Sequence, residues 1–368
     1  MHWYRYLLNT FLAQATQIGA TQPKIIIEND WNVNSYVTFL LAIDAGWDVL
    51  GLVGNTANSW SRQASLHALA LLEIGNLSCI PVHKGADHPL LNTPETFQLW
   101  EDLHGPLPYQ GVFKKYNATD EKKGRDPSSR DPKRIAPAAF KQGFPNITLA
   151  GEHAAAWMAD KIRKYPGEVL IYSGGSLTNV ALAIRLDPEF AKLSRGLVVM
   201  GGYVDVMLQQ TRGPKLLADI NSDINFKVDP EAAKIALTSN FPKISLVGNG
   251  ANQVFPDQKY IDQVYQHKTP YTELFYREYG TRLPFWDEIA MFVGLYPEYV
   301  TNSTSIFVDV DTAWSSPYYG NIMVYQELFK SRVQNLQLVD YIYEANATAL
   351  KSSIESAMRC SKCGSWCK

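Results

Sequence analysis

Short apolar, β-branched runs recur along this chain, each ending in a polar or glycine cluster and most followed by a longer segment with apolar residues at helical spacing. Lys24-Ile25-Ile26-Ile27 opens the series, followed by Val49 to Val53, Cys79 to Val82, Val169 to Tyr172, Leu197 to Met200 and Ile244 to Val247. Runs this short and continuously apolar predict strands buried on both faces, which antiparallel sheets rarely need. Between them the spacing predicts helices over Val37 to Ala45, Ser61 to Ile74, Ala154 to Tyr165, Leu177 to Leu186 and Pro230 to Leu237, with another opening near Asp287. Such alternation predicts an α/β fold, an open and mostly parallel sheet flanked by helices on both faces.

Composition narrows the partners. Against 36 Asp and Glu stand 34 Lys and Arg, a formal charge of -2, so no global field draws in nucleic acid or an anionic membrane. No run reaches the roughly 18 to 20 apolar residues that span a bilayer. Leu7, Leu8, Phe11, Leu12 and Ile18 give the first 22 residues the look of a secretory signal ending near Gly19-Ala20-Thr21, with an amphipathic N-terminal helix as the other reading. Sequons at Asn76, Asn117, Asn146, Asn302 and Asn346 point the same way. So do Cys79, Cys360, Cys363 and Cys367, an even set that suggests disulfides in any of three connectivities. The expected organisation is a leader over 1–22, one catalytic-type domain over 23–350 and a cysteine-rich tail over 351–368. Gly105 to Pro145 loses all periodicity and is expected to form a surface loop near the mouth of the site.

In open parallel sheets, ligands bind beyond the carboxyl ends of the strands. The polar groups gathered there are Glu28, Asn29, Asp30, Asn32, Asn34, Asn55, Asp223, Asn225 and, at a helix start, Asp287. Carboxylates and amides dominate. Ser176 sits in Gly-Gly-Ser-Leu and so lacks the sharp Gly-x-Ser-x-Gly turn of an α/β-hydrolase nucleophile. No Gly-x-Gly-x-x-Gly follows the first strand and no Gly-x-x-x-x-Gly-Lys occurs, which removes the usual handles for dinucleotides and nucleoside triphosphates. Oxygen-rich side chains of this kind suit sugar hydroxyls and hard cations. A lone Asp at a strand end is most often a turn or helix cap, so only the coincidence of several speaks for a site.

Taken in order, the motifs resemble the inosine-uridine preferring nucleoside hydrolases. Glu28-Asn29-Asp30-Trp31-Asn32-Val33-Asn34-Ser35 falls on that family's Asp-x-Asp-x-x-x-Asp-Asp strand end, and Val53-Gly54-Asn55 on its Val-Gly-Asn. Gly85-Ala86-Asp87-His88-Pro89-Leu90, Leu177-Thr178-Asn179, Met200-Gly201-Gly202, Asp223-Ile224-Asn225, Asp229-Pro230-Glu231-Ala232 and Trp286-Asp287 follow in family order. The resemblance implies hydrolysis of the N-glycosidic bond of ribonucleosides. It further implies Asp30 and Asp287 as Ca²⁺ ligands with the main-chain carbonyl near Gly174, and Asp30 as the base that activates water. Asn55, Asp223 and Asn225 would hold the ribose, with Asn34, Met200 and Trp286 as further substrate contacts. A homo-oligomer is implied as well.

Four positions depart from the pattern. Glu28 replaces the first Asp, and Asn34 and Ser35 replace the closing pair, which removes two formal charges from the expected metal site. Trp286 stands where the family has a His, and an indole stacks on a base but has no proton to titrate. These departures keep a second reading open, a ribose- or nucleoside-binding protein without catalysis, beside hydrolysis of another N-glycoside such as a nicotinamide nucleotide.

Overall fold

The computed structural model describes residues 22–32, 35–107, 109–122, 130–204, 223–332 and 335–367. Asn34 and nearly all of the expected leader lie outside them. Nine strands form one sheet in the order β3-β2-β1-β4-β5-β6-β9-β7-β8. Those named from the sequence as apolar runs are β1 (Lys24–Asn29), β2 (Asp48–Gly54), β4 (Val169–Ser173), β5 (Gly196–Met200) and β6 (Ile244–Val247). These and β3 (Val82–Lys84) pair in parallel, β6 also pairs in parallel with β9 (Gln337–Ala345), and β7 (Val300–Val310) runs antiparallel to β9 and to β8 (Ile322–Tyr325).

Alternation along β1 shows why its run is apolar throughout. Ile25 and Ile27 enter the core on one face of the sheet, and Ile26 enters the core on the other. The first face is covered by α1 (Tyr36–Asp44), α2 (Ser61–Glu73), α10 (Trp286–Leu295) and α11 (Ala347–Met358). The opposite face packs α4 (Ala154–Lys164), α5 (Thr178–Leu186) and α7 (Pro230–Leu237). Two further helices, α8 (Gln258–Tyr265) and α9 (Pro270–Glu278), add to the first core. The remaining labelled helices are α3 (Pro94–His104) and the short α6 (Ile224–Val228).

Two expectations need correction. The third strand lies over Val82–Lys84, because Cys79 and Ile80 belong to a turn closed by Ile80 N–H on the Leu77 carbonyl. The 105–145 segment is also more ordered than its composition indicates: Gly111–Phe113, Ala118–Lys122 and Pro137–Ala139 form short helical turns. Val112 and Phe113 anchor it in a small core with Trp60 and Phe97.

The chain starts at β1, fills one side of the sheet with β2 and β3, then crosses to β4 on the other side. The carboxyl ends of β1 and β4 thus flank a topological switch point, where a crevice opens. Everything described next is assembled around it.

Candidate active site

β1 runs straight into Asp30 and then Trp31, whose φ of +43° is left-handed. A bulky residue holds that conformation only when its surroundings over-determine it. Here the Trp31 indole is fully buried and its Nε1 donates to the Val53 carbonyl at 2.6 Å. Asp30, just before this exit from β1, is buried. Its Oδ2 accepts from the Asn58 N–H at 2.9 Å, and its own N–H donates to Asn29 Oδ1 at 2.8 Å.

That second bond fixes which way the Asn29 amide faces. Its Nδ2 donates to Asp287 Oδ2 at 3.1 Å, bringing the first turn of α10 onto the end of β1. Ser35 Oγ donates to the same oxygen at 3.1 Å, and the Tyr172 hydroxyl to Oδ1 at 3.2 Å. Burial pushes Asp287 up to about 6, while these three donors work in the opposite direction. Asp30 is pushed up to about 8, first by burial and then by the charge of Asp287 beside it. The two carboxylates are thus near enough for the charge of one to act on the other.

Gly174 and Gly175 form the floor between layers. A Cβ on Gly174 would lie 2.8 Å from Asp287 Oδ1, Asn29 Nδ2 and the Tyr172 hydroxyl, and one on Gly175 would lie 2.2 Å from Asn55 Oδ1. Asn55 is wholly buried in the layer behind, with Nδ2 on the Ser176 carbonyl at 3.3 Å. Behind it sits Glu28, whose Oε1 accepts from Asn179 Nδ2 at 2.7 Å. Glu28 Oε2, Asn55 Oδ1 and Ser173 Oγ are each buried without a well-formed hydrogen bond, although Asn55 and Ser173 stand close enough to act on Glu28. A proton on Glu28 Oε2 turns one of these unpaired acceptors into a donor for Asn55 Oδ1. Burial, which pushes Glu28 up to about 8, supplies that proton.

Above the floor lies a cavity of about 380 Å³. Its polar wall includes Asn32, Asn58, Asp223 and Asn225 beside Gly174 and Asp287. Asp223 caps α6 and accepts from the Gly202 N–H, and burial pushes it up to about 6. Gly202 at φ +79° is where a glycine is required for that approach. Asn225 Nδ2 is spent on Met200, at 3.0 Å from its carbonyl and 3.3 Å from its sulfur, so Oδ1 is the end left for a ligand. The apolar wall carries Tyr109, Tyr203, Tyr279, Leu283, Pro284 and Trp286. Trp286 Nε1 donates to Asn252 Oδ1 at 2.8 Å. The other end of that amide, Nδ2, is buried without a well-formed partner, with the Tyr203 hydroxyl in electrostatic reach. Polar and aromatic side chains thus share one cavity.

Comparison with known proteins decides the family. Residues 25–351 match the inosine-uridine preferring nucleoside hydrolases. The chain belongs to this family. An uncharacterized Schizosaccharomyces pombe protein is 32% identical over 320 residues, covering 83% of this chain and 77% of its own. A probable uridine nucleosidase 2 of Oryza sativa subsp. japonica is 28% identical over 302 residues, 77% of each chain. The solved structure of a plant nucleoside hydrolase superposes with a TM-score of 0.68 at 20% identity over 92% of this chain and 99% of that one, a likeness of fold. As a nucleoside hydrolase the protein is an enzyme of the N-glycosyl hydrolase class.

Within that family frame, the structure gathers Gly174, Met200, Asp223, Asn225, Trp286 and Asp287 around one cavity and sets Asp30, which feels the charge of Asp287, and Asn55 behind its lining. Asn34 lies outside the described residues. Sequence reading missed Asn58, Tyr109, Tyr203, Asn252 and Tyr279, all of which line the cavity. The family is metal-dependent, and a Ca²⁺-type ion takes six to eight oxygens, carboxylates prominent among them. Asp287 Oδ2 is occupied by Asn29 and Ser35, Oδ1 by Tyr172, and Asp30 Oδ2 by Asn58. Among the described residues no group of three or more His, Cys, Asp or Glu is arranged to hold a metal ion. These residues do not fit the Ca²⁺ that the resemblance implies.

Proposed function

We propose that the cavity binds a ribonucleoside and hydrolyses it to ribose and free base, with Asp30 as the general base. The observation that carries the reading is the cavity's lining, which brings Asp223, Asp287, Asn32, Asn58 and Asn225 together with Tyr109, Tyr203, Tyr279 and Trp286. Asp223 and the Asn225 Oδ1 accept from ribose hydroxyls. As the C1′–N bond lengthens, positive charge grows on the sugar, and the carboxylates of Asp30, Asp223 and Asp287 favour it. Asp30 takes one proton of the attacking water, whose oxygen bonds to C1′. The bonding pair leaves with the base, which takes a proton from solvent at nitrogen, while Asp30 returns its own proton to solvent, so that one water adds across the bond. Raised to about 8, Asp30 accepts a proton more strongly than an ordinary Asp, but only in its ionised form, so the reaction is expected to speed up as pH rises toward 8.

A buried amide N–H at Asn252 beside the Trp286 indole suits a base that carries a carbonyl oxygen, as uracil and hypoxanthine do. Uridine is the first substrate to try, since the rice relative is named for it. The test is ribose release from uridine, inosine and adenosine by wild type and Asp30→Asn. Loss of about 10²- to 10⁴-fold in kcat with unchanged substrate affinity is expected of the variant. Equal rates in the two proteins would remove Asp30 from the chemistry. Tight nucleoside binding with no ribose release by wild type would establish a binding protein instead.

We also read the protein as secreted and glycosylated. All five sequon asparagines are exposed, and among the described residues every cysteine is disulfide-paired, Cys79 with Cys367 and Cys360 with Cys363. Recovery from culture medium with a mass that falls on enzymatic removal of N-glycans is the expected result. A homo-oligomer remains part of the proposal, to be checked by light scattering.

A further inference from the structure

We infer that Asn29, Ser35 and Tyr172 hold Asp287 in place of a resident divalent cation, so that this nucleoside hydrolase site is organised without one. The inference rests on the reading of the cavity as the nucleoside site, but it concerns how the site's floor is held together.

A cation between carboxylates does two things: it neutralises them and it fixes their geometry. Here neutral donors fix the geometry of Asp287 and solvate its charge. Asp287 receives Asn29 Nδ2 and Ser35 Oγ at 3.1 Å each on Oδ2 and the Tyr172 hydroxyl at 3.2 Å on Oδ1. Each donor is itself held. Asn29 is wholly buried, with its amide oriented by the Asp30 N–H. Tyr172 is wholly buried in β4 and reaches the main-chain carbonyl of Asp287 as well, at 3.2 Å. Ser35 is 1% exposed and opens α1, where its carbonyl accepts from Thr38 Oγ1 at 2.7 Å. None of these partners is a flexible surface group that a cation would sweep aside.

The chemistry of the exchange is specific. A carboxylate at position 35 would repel Asp287 across the same 3.1 Å unless a cation stood between them. A serine there donates a hydrogen bond, which makes the approach attractive and adds no second charge to neutralise. Asn29 presents the positive end of its amide to the same oxygen, which disfavours a cation at that point. Hydrogen-bond donors and a divalent ion compete for lone pairs, and on Asp287 Oδ2 two donors already hold them.

The test uses the full-length, as-purified protein and reads metal directly. After gel filtration into metal-free buffer, elemental analysis is expected to find less than about a tenth of an equivalent of Ca²⁺, Mg²⁺, Mn²⁺ or Zn²⁺ per chain. The melting temperature should be the same in chelator as in millimolar Ca²⁺. One equivalent of a retained divalent ion, or a wild-type melting temperature that rises with Ca²⁺, would overturn the inference. Ser35→Asp restores the carboxylate and is expected to gain Ca²⁺-dependent melting. A folded Ser35→Asp protein indifferent to Ca²⁺ would show that position 35 is not where the cation was lost. Ribose release is measured separately: an inactive protein without metal counts against the proposed function alone, and an active one with stoichiometric metal against this inference alone.

Discussion

Asn29 Nδ2 donates to Asp287 Oδ2 at 3.1 Å, tying together residues 258 positions apart in the chain. The bond brings the end of the first strand and the start of α10 to a single floor, with Asn29 wholly buried and Asp287 half-buried at the cavity wall. Replacing Asn29 with Leu keeps the volume and removes the donor. The expected cost is about 1 to 3 kcal/mol of stability, the price of an underpaired, half-buried carboxylate. Denaturant unfolding of the two proteins measures it, and a midpoint unchanged by Asn29→Leu would show that the bond contributes nothing.

Gly174 tests the same floor from below. Any Cβ there lies 2.8 Å from Asp287 Oδ1, Asn29 Nδ2 and the Tyr172 hydroxyl at once, closer than real contacts allow. Gly174→Ala should therefore displace the Asp287 carboxylate by some tenths of an ångström. Ribose release is expected to fall about 10- to 100-fold, since misplacing a site by about 1 Å costs on the order of 10². Full activity in a correctly folded Gly174→Ala protein would mean that Asp287 need not be held so closely.

Glu28 gives a pH dependence with a definite sign. Its folded-state pKa of about 8 lies above the ordinary 4.5, so between those values the folded chain holds a proton that the unfolded chain has lost. Stability from this group is complete below about pH 4.5 and declines as pH rises toward 8. Glu28→Gln copies the protonated carboxyl, its oxygen accepting from Asn179 and its NH₂ donating to Asn55. The variant is expected to unfold at a midpoint closer to that of wild type at pH 5 and to be more stable than wild type at pH 8. Parallel pH curves for the two proteins would place the proton elsewhere.

The parallel half of the sheet was legible because β1, β2, β4, β5 and β6 are buried on both sides and so are written as unbroken apolar runs. β7 was not. Its first residues, Val300-Thr301-Asn302-Ser303-Thr304-Ser305, are mostly exposed and polar, and pairing with β9 is all that makes them a strand. The carboxylates of the site stood out because charge at a strand end is unusual. Whether such a residue lines the cavity or supports it was not readable, since both kinds are buried and polar. Asn55 and Asp229 show this: Asp229 takes the Thr178 hydroxyl at 2.6 Å, the Leu90 N–H at 2.8 Å and the Ala232 N–H at 3.1 Å, knitting three family motifs into scaffold. Tyr109, Tyr203 and Tyr279 were missed for the opposite reason: an isolated tyrosine among 20 carries no pattern that separates a pocket wall from a core.

The Cys79–Cys367 disulfide links the turn before β3 to the far end of the chain, across 288 positions. Beneath it α11 packs on the first face of the sheet through Leu350, Ile354, Ala357 and Met358, all buried. Closing so long a loop restricts the unfolded chain, and the loop-entropy relation puts the effect at about 5 kcal/mol as an upper figure. Both sulfurs' residues are exposed, so a reductant reaches the bond without unfolding the protein. Cys367→Ser is therefore expected to lower the melting temperature by several degrees while leaving ribose release at moderate temperature nearly unchanged, because no cavity residue belongs to the tail. Mild reduction of wild type should reproduce the shift, and reduction of Cys367→Ser should add little. A variant that melts with wild type would show that helix packing alone secures the tail; one that melts normally but loses activity would tie the tail to the site.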